Sequence, residues 1–413
     1  MRRTRLRRRA FLQLGSAAVS GAVARADPSP DVVVIGVGVF GGWTALSLLQ
    51  QGARITLVDA YGPGNARSAS GGLSRLVRAR HTDEIYLRLV LRSFTLWREW
   101  EEKWEEQFLV PTGYISIVDP GPLPESITAA RSLFAKHGVE SEMLQPDEIR
   151  RHYPQFRLDD VGAAYFEPGA CTARPADSCR RVAREVTDQG ATFHHARAIP
   201  GERSGRRLES VRLSTGKTLR ADSFVFACGP WLARTLPEVM SGRLVTPRRE
   251  VFFWGTPAGD PDFSHPRFPA WSDRTQRGRE NLYYGFPDFD GRGFRVVPAN
   301  DDNPLDPDFD ERVVSAYQLK RAHDYMAYRF PALARQPVIG SRVCQTEYTP
   351  DRNFIIDRHP DFDNVWIVGG GSGHGFKHGP AVGEFAANRI LGRDIDPDFQ
   401  QAFAFKQAEF PQE

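Results

Sequence analysis

Asp31-Val32-Val33-Val34-Ile35-Gly36-Val37-Gly38-Val39-Phe40-Gly41 is the stretch on which the fold turns. Asp31 to Ile35 is an apolar, β-branched run of the kind a parallel sheet buries on both faces. It runs straight into glycines at positions 36, 38 and 41. Ala45, Leu46, Leu48 and Leu49 then supply the apolar face of a helix that Gly52 closes, and Ala53 to Val58 reads as a second strand ending in Asp59. The result is a β-α-β unit. In such a unit Gly36 permits the tight turn out of the strand, Gly38 lets backbone approach a pyrophosphate, and Gly41 lets the helix pack closely. The helix N-terminus receives the anion, and Asp59 is placed to accept from ribose hydroxyls, which disfavours a 2′-phosphate.

Working outward, Ser223 to Ala227 before Cys228-Gly229-Pro230-Trp231, and Asn364 to Val368 before the glycine-rich run Gly369 to Gly379, read as later strands of the same sheet. Glycine spacing alone does not separate a nicotinamide from a flavin dinucleotide. The C-terminal strand, loop and helix favour the flavin, since a nicotinamide enzyme does not need them. Val251 to Gly255, Asn281 to Phe286 and Gly293 to Val297 are aromatic and β-branched, broken by Pro, Gly and Asp turns, and predict an antiparallel sheet on the substrate side. Glu84 to Glu106 predicts a long helix with a core-facing stripe of Leu91, Phe94, Trp97, Trp100 and Trp104.

The bulk composition bounds the partners. A chain of 413 residues, 41% hydrophobic and 25% charged, is an ordinary globular protein of two packed domains or one large one. Seven arginines fall within the first 26 residues, and without them the formal charge of +3 becomes −4. Nucleic acid is therefore an unsupported partner. Arg8-Arg9-Ala10-Phe11-Leu12 leads into a short apolar stretch ending at Ala24-Arg25-Ala26, which resembles a twin-arginine export signal over residues 1–26 cleaved before Asp27. The alternatives are an uncleaved basic tail or a short membrane anchor, though the stretch is too short to span a bilayer. The expectation is a periplasmic or secreted protein that meets the twin-arginine translocase. Cys171, Cys179, Cys228 and Cys344 show no metal-ligand spacing, so no metal site is expected.

Several blocks together carry a resemblance: Gly36 to Gly41 with Asp59, Ser68 to Arg78 (SASGGLSRLVR), Tyr283 to Pro287 (YYGFP), Cys344 to Pro360 (CQTEYTPDRNFIIDRHP) and Ser372 to Lys377 (SGHGFK). The chain resembles the flavoprotein family of D-amino-acid oxidase and glycine oxidase, and within it the branch of monomeric sarcosine oxidase and N-methyltryptophan oxidase. That resemblance implies an α/β fold in which a Rossmann-like FAD-binding domain of the D-amino-acid-oxidase type is interleaved with an antiparallel-sheet substrate domain. It places residues 27–110, 160–245 and 335–413 in the first and 111–159 with 246–334 in the second.

It also implies roles. Besides Gly36, Gly38, Gly41 and Asp59, the FAD contacts would include Gly229, Gly371, Gly373, Gly375 and Arg75, which matches an arginine lying against the flavin ring. Cys344 matches the cysteine that bonds the flavin covalently; its other reading is a buried structural thiol. Arg78 and Lys377 match the pair that holds the substrate carboxylate, although Arg78 could also serve a surface ion pair. Tyr284 matches a tyrosine of the substrate pocket, or is an ordinary half-buried strand aromatic. Where relatives carry an oxygen-activating lysine, alignment through Gly293 and Phe294 puts Arg295; Ala299 and Thr346 stand where they carry a pocket histidine and tyrosine. The implied reaction is oxidation of the C–N bond of a carboxylate-bearing amine or amino acid, secondary or N-alkylated, with O2 reoxidising the flavin to give hydrogen peroxide. Two further readings are a dehydrogenase passing electrons to a quinone or other carrier, and a non-catalytic FAD-binding exported protein.

Overall fold

The computed structural model describes residues 29–276, 283–298 and 304–411. The expected export signal over residues 1–26 and Ala299 lie outside the described residues. Asp31–Ile35 is the inner strand of a six-stranded sheet, parallel to Arg54–Asp59 on one side and to Ser223–Phe226 on the other. Val365–Gly369 continues the parallel order beyond Ser223–Phe226, and Thr192–His195 extends it beyond Arg54–Asp59. Only the edge strand Ile355–Arg358 runs antiparallel. Val32, Val33, Val34 and Ile35 are all buried, as a strand covered on both faces requires.

The helix Val39–Gln50 packs most extensively against the helix Gly379–Ile390 at the far end of the chain. Trp43 is the wedge between them and the long helix Glu84–Trp104, with its ring centroid 5.0 Å from that of Trp97 and 5.8 Å from that of Trp104. The stripe read from the sequence thus buries against an indole from the dinucleotide helix. The long helix starts on Asp83, whose carboxylate accepts from Ile85 N, and stops where Glu105 takes a left-handed conformation, two residues before the expected end.

A second sheet of eight strands, in the order Val338–Gln345, Arg248–Trp254, Phe294–Val297, Tyr284–Phe286, Ala270–Arg274, Tyr114–Val118, Ala163–Glu167 and Glu142–Leu144, stands beside the first. It differs from the expected antiparallel sheet in one place: Ala270–Arg274 pairs with Tyr114–Val118 in parallel. Two of its strands, Ala163–Glu167 and Val338–Gln345, lie in stretches that the sequence reading gave to the dinucleotide side. Parallel pairing needs partners far apart in the chain, so local strand and turn signals could not show it. A three-stranded sheet of Arg75–Val77, Cys171–Ala173 and Leu109–Val110 bridges the two. Among the described residues, no helix is long and apolar enough to cross a membrane.

Candidate active site

The turn after Asp31–Ile35 is built by steric necessity. Gly36 has φ +93°, and a Cβ there would lie 2.4 Å from the carbonyl oxygen of Ala227. A Cβ on Gly41 would lie 1.9 Å from the oxygen of Gly36, so the helix can follow the turn this closely only with glycine. The loop is then tied down by side chains. Val37 N donates to Asp59 Oδ2 at 2.7 Å, and Val39 N donates to Ser70 Oγ at 3.0 Å. Asp59 Oδ1 accepts from Tyr61 N and Gly62 N, each at 2.8 Å. Asp59, expected to face ribose hydroxyls, therefore also braces the phosphate turn against its own loop.

A cavity of about 470 Å³ opens from this turn. Gly36, Gly38 and Asp59 of the turn line it, together with Gly229, Gly371, Gly373 and Gly375, and Arg75, Arg78, Tyr284, Arg295 and Lys377 also face it. Of the site residues singled out from the sequence, only Gly41 and Cys344 lie off this cavity. Gly41 sits behind the turn that it packs. Cys344 lines an adjoining cavity of about 690 Å³, which shares Ser74, Arg75, Phe286 and Arg295 with the first. The fit to FAD rests on these observations. The helix Val39–Gln50 presents an N-terminus with no acidic residue in its first turn and no capping side chain at Gly38, leaving its positive end for a diphosphate. The cavity then continues to a cationic end suited to an anionic substrate.

Cys344 is buried and forms no disulfide; neither do the other three cysteines. It faces Arg249 across the antiparallel pair Arg248–Trp254 and Val338–Gln345. Arg295 is buried, donates through Nη1 to Ser74 O at 2.6 Å and Ser74 Oγ at 2.5 Å, and lies 4.8 Å from the centroid of Phe286. Burial pushes its pKa down to about 10, with Arg75 and Arg342 adding to the effect and Tyr284 and Cys344 opposing it. Arg75 is pinned by the loop that precedes it, donating through Nη2 to Ala69 O at 2.5 Å and Gly71 O at 2.9 Å.

At the other end, Lys377 rises from the short helical turn Gly375–His378 and is buried, with 4% of its surface exposed. Burial first, then Arg78 and Arg80, hold its pKa far below that of an ordinary lysine; Glu167 opposes them. Arg78 donates through Nη1 to Arg80 O at 2.6 Å, and its guanidinium carbon stands 5.1 Å from the Tyr114 ring centroid. It is therefore not a surface ion pair. Glu347, buried on the cavity wall, accepts from Gly371 N at 3.1 Å, and burial raises its pKa. Thr346 faces the cavity where the resemblance expects a tyrosine.

His81, His374 and His378 bring ring nitrogens within 4.8 Å of one another. They pack as aromatic rings on Tyr86 and Phe354, and burial first, with Lys377 adding to it, pushes the pKa of all three down. The same Lys377, with Arg78 beside His81 and His374, opposes a cation there. Sequence reasoning missed Tyr114, Ser272 and Arg274, which also line the cavity. Their only local signal is alternation: Tyr114 and Ser116, and Ser272 and Arg274, are every second residue of two adjacent strands.

Comparison with known proteins agrees with this geometry. Monomeric sarcosine oxidase of Streptomyces avermitilis is 31% identical over 372 residues, covering 88% of this chain and 94% of that protein. N-methyl-L-tryptophan oxidase of Salmonella enteritidis is 27% identical, covering 88% and 95%. Among solved structures, NikD, an amino acid oxidase of nikkomycin biosynthesis, superposes with a TM-score of 0.78 over 93% of this chain and 99% of its own at 22% identity, which speaks for the fold. The profile of the FAD-dependent oxidoreductases of the D-amino-acid-oxidase type matches residues 31–389, and the chain belongs to that family.

Proposed function

We propose that this protein oxidises the C–N bond of a secondary or N-alkylated amino acid to an imine, which water hydrolyses, with O2 as the final electron acceptor and hydrogen peroxide as product. The observation that carries this is the placement of two basic side chains, the half-buried Arg78 and the buried Lys377, on the same cavity as the dinucleotide turn. The names of the curated relatives support the reaction class.

FAD, when bound, supplies the acceptor for the hydride equivalent that leaves the carbon next to nitrogen. The chain's own residues bind and orient. The Arg78 guanidinium, fixed on Arg80 O, offers its remaining N–H groups to the substrate carboxylate. Lys377, held toward its neutral form in the empty pocket, gains a counter-ion there and takes up a proton as the anion enters. The cationic surroundings disfavour an ammonium, so the amine binds unprotonated and no side chain need remove a proton from carbon. Tyr284 forms a wall of the pocket. Arg295, anchored on Ser74 and shared by both cavities, sets a fixed positive charge where O2 is reduced.

Cys344, with Arg295, Arg312 and Arg342 within electrostatic reach, is the residue we assign to covalent attachment of the flavin. Yellow colour that stays with acid-denatured protein, and is released in Cys344→Ala, tests this. The twin-arginine motif at Arg8-Arg9 supports export; N-terminal sequencing of periplasmic protein beginning at Asp27 tests it. The function itself is tested by an anaerobic screen of N-methyl and cyclic amino acids. Bleaching of the flavin absorbance, followed by rapid recovery and peroxide release in air, supports the reading. A flavin that no amino acid bleaches refutes it, and one that recovers only with a quinone overturns the choice of O2.

A further inference from the structure

The cationic end of the cavity holds more positive charge than one carboxylate can balance. Arg78, Arg80 and Lys377 converge there, and the nearby carboxylate is Glu167. Glu167 is already engaged: Oε1 accepts from Ala79 N at 2.5 Å, and Oε2 accepts from Arg80 N at 3.3 Å and Tyr165 Oη at 3.1 Å. With Arg274 left out of the count altogether and Tyr114 protonated, the cations outnumber Glu167 by two once Lys377 is protonated. The α-carboxylate of a substrate cancels one.

The wall nearby is polar where an alkyl side chain would call for apolar groups. Tyr114 is 1% exposed yet lines the cavity, and its Oη lies 2.6 Å from Ser272 Oγ, which in turn lies 3.0 Å from Ser116 Oγ. The parallel pairing sets Ser272 beside Ser116 and Arg274 beside Val118, so Arg274 projects from the same sheet face as Ser272 and faces the cavity. The Arg80 guanidinium carbon stands 5.8 Å from the Tyr114 centroid and 5.5 Å from that of Tyr165. Asp273, between Ser272 and Arg274, points to the other face, where it accepts from Tyr325 Oη at 2.9 Å and Arg329 Nε at 2.8 Å. The acid and the base of this strand are thus sorted to opposite sides of the sheet.

We propose that Tyr114, Ser272 and Arg274 form a subsite for a second anionic group, and that the favoured substrate is an N-substituted amino acid carrying an additional carboxylate on its side chain or nitrogen substituent. This rests on the amine oxidation proposed above and names its substrate class. Ser272 and Tyr114 donate hydroxyl hydrogens, and Arg274 donates N–H groups, to the second carboxylate; Arg80 contributes charge from behind the phenol. The strength of the local field is visible on Tyr114 itself. Burial opposes its ionisation, yet Arg80, Arg78 and Arg274 outweigh burial and hold the phenol at about 7. A field that ionises a phenol favours a bound carboxylate.

The test compares N-methylaspartate and N-methylglutamate with their neutral isosteres, N-methylasparagine and N-methylglutamine, in both enantiomers, by anaerobic flavin reduction with the holoenzyme. The acids are expected to exceed the amides in kcat/KM by about tenfold or more, carried mainly by KM. Arg274→Met is expected to collapse that ratio toward one, and Arg274→Lys to restore part of it. The wild-type protein gives an independent reading that no folding defect can disturb: malonate and succinate should perturb the flavin spectrum at lower concentration than acetate and butyrate. Amides that bleach the flavin as well as the acids do, or monocarboxylates that bind as tightly as dicarboxylates, overturn the subsite while leaving amine oxidation intact. Failure of acids and amides alike to bleach a flavin that other N-alkyl amino acids bleach also overturns it. Failure of every amine removes both.

Discussion

The two ends of the main cavity are made of different material. At the dinucleotide end the recognition surface is backbone: a turn with Gly36 at φ +93°, a helix start, and amides held in place by Asp59 and Ser70. At the substrate end it is side chain: Arg78, Lys377, Tyr114 and Arg274 from four separate chain segments. Backbone recognition tolerates almost no substitution, because an added atom meets main chain that cannot move. Side-chain recognition is adjustable, so the second end is where a change of residue can change the substrate while leaving the cofactor in place.

That contrast sets the order of expected effects. Gly41→Val should be the most severe, since its first added atom would sit 1.9 Å from the Gly36 oxygen; the protein should purify without flavin absorbance. A yellow Gly41→Val protein would mean that the turn has slack. Next comes the carboxylate grip. Arg78→Met or Lys377→Met should cost about 2–5 kcal/mol, roughly 30- to 4000-fold in kcat/KM, with FAD content unchanged. If FAD is lost as well, the two ends are not separable.

A smaller effect concerns pH. Tyr114 is protonated below about 7 and anionic above it, so its phenolate competes with a second carboxylate as pH rises. KM for an acidic substrate should climb above pH 7 in the wild type and stay flatter in Tyr114→Phe; a profile identical in both would clear Tyr114 of any part. The smallest effect belongs to Asp308, at the dinucleotide end. Although burial opposes its ionisation, donation from Tyr61 Oη, Trp231 Nε1 and Arg197 holds its carboxyl down at about 2. A lowered carboxylate pKa stabilises the fold above the unfolded value of about 3.9, and that contribution is lost as pH falls through about 2. Asp308→Asn should therefore lower Tm by a few degrees at neutral pH and flatten the acid limb of the stability profile between about pH 4 and 2.

The dinucleotide end was readable in the chain because each demand is local. Gly36, Gly38, Gly41 and Asp59 fall within 24 residues, and each stands where the turn needs it. Arg78 and Lys377 came from resemblance rather than from spacing, since nothing in a row of residues tells that a lysine will be buried 299 positions from its arginine. Tyr114, Ser272 and Arg274 went unseen because the strands that carry them pair in parallel across more than 150 residues. Cys344, which the resemblance matches to the flavin, is a free buried thiol that opens on the neighbouring cavity, a placement that depends on strand pairing and that no local pattern around residue 344 displays.

The embrace of Val39–Gln50 and Gly379–Ile390 around Trp43 bears on how the holoprotein comes into being. A Cβ on Gly383 would lie 2.5 Å from the Trp43 main chain, so Val39–Gln50 is seated only once Gly379–Ile390 arrives. A ribosome must release the chain through residue 390 before the two helices can pack, so cofactor capture is expected to follow that release. Truncation anywhere upstream of residue 390 would thus yield a colourless product, however intact its opening β-α-β unit.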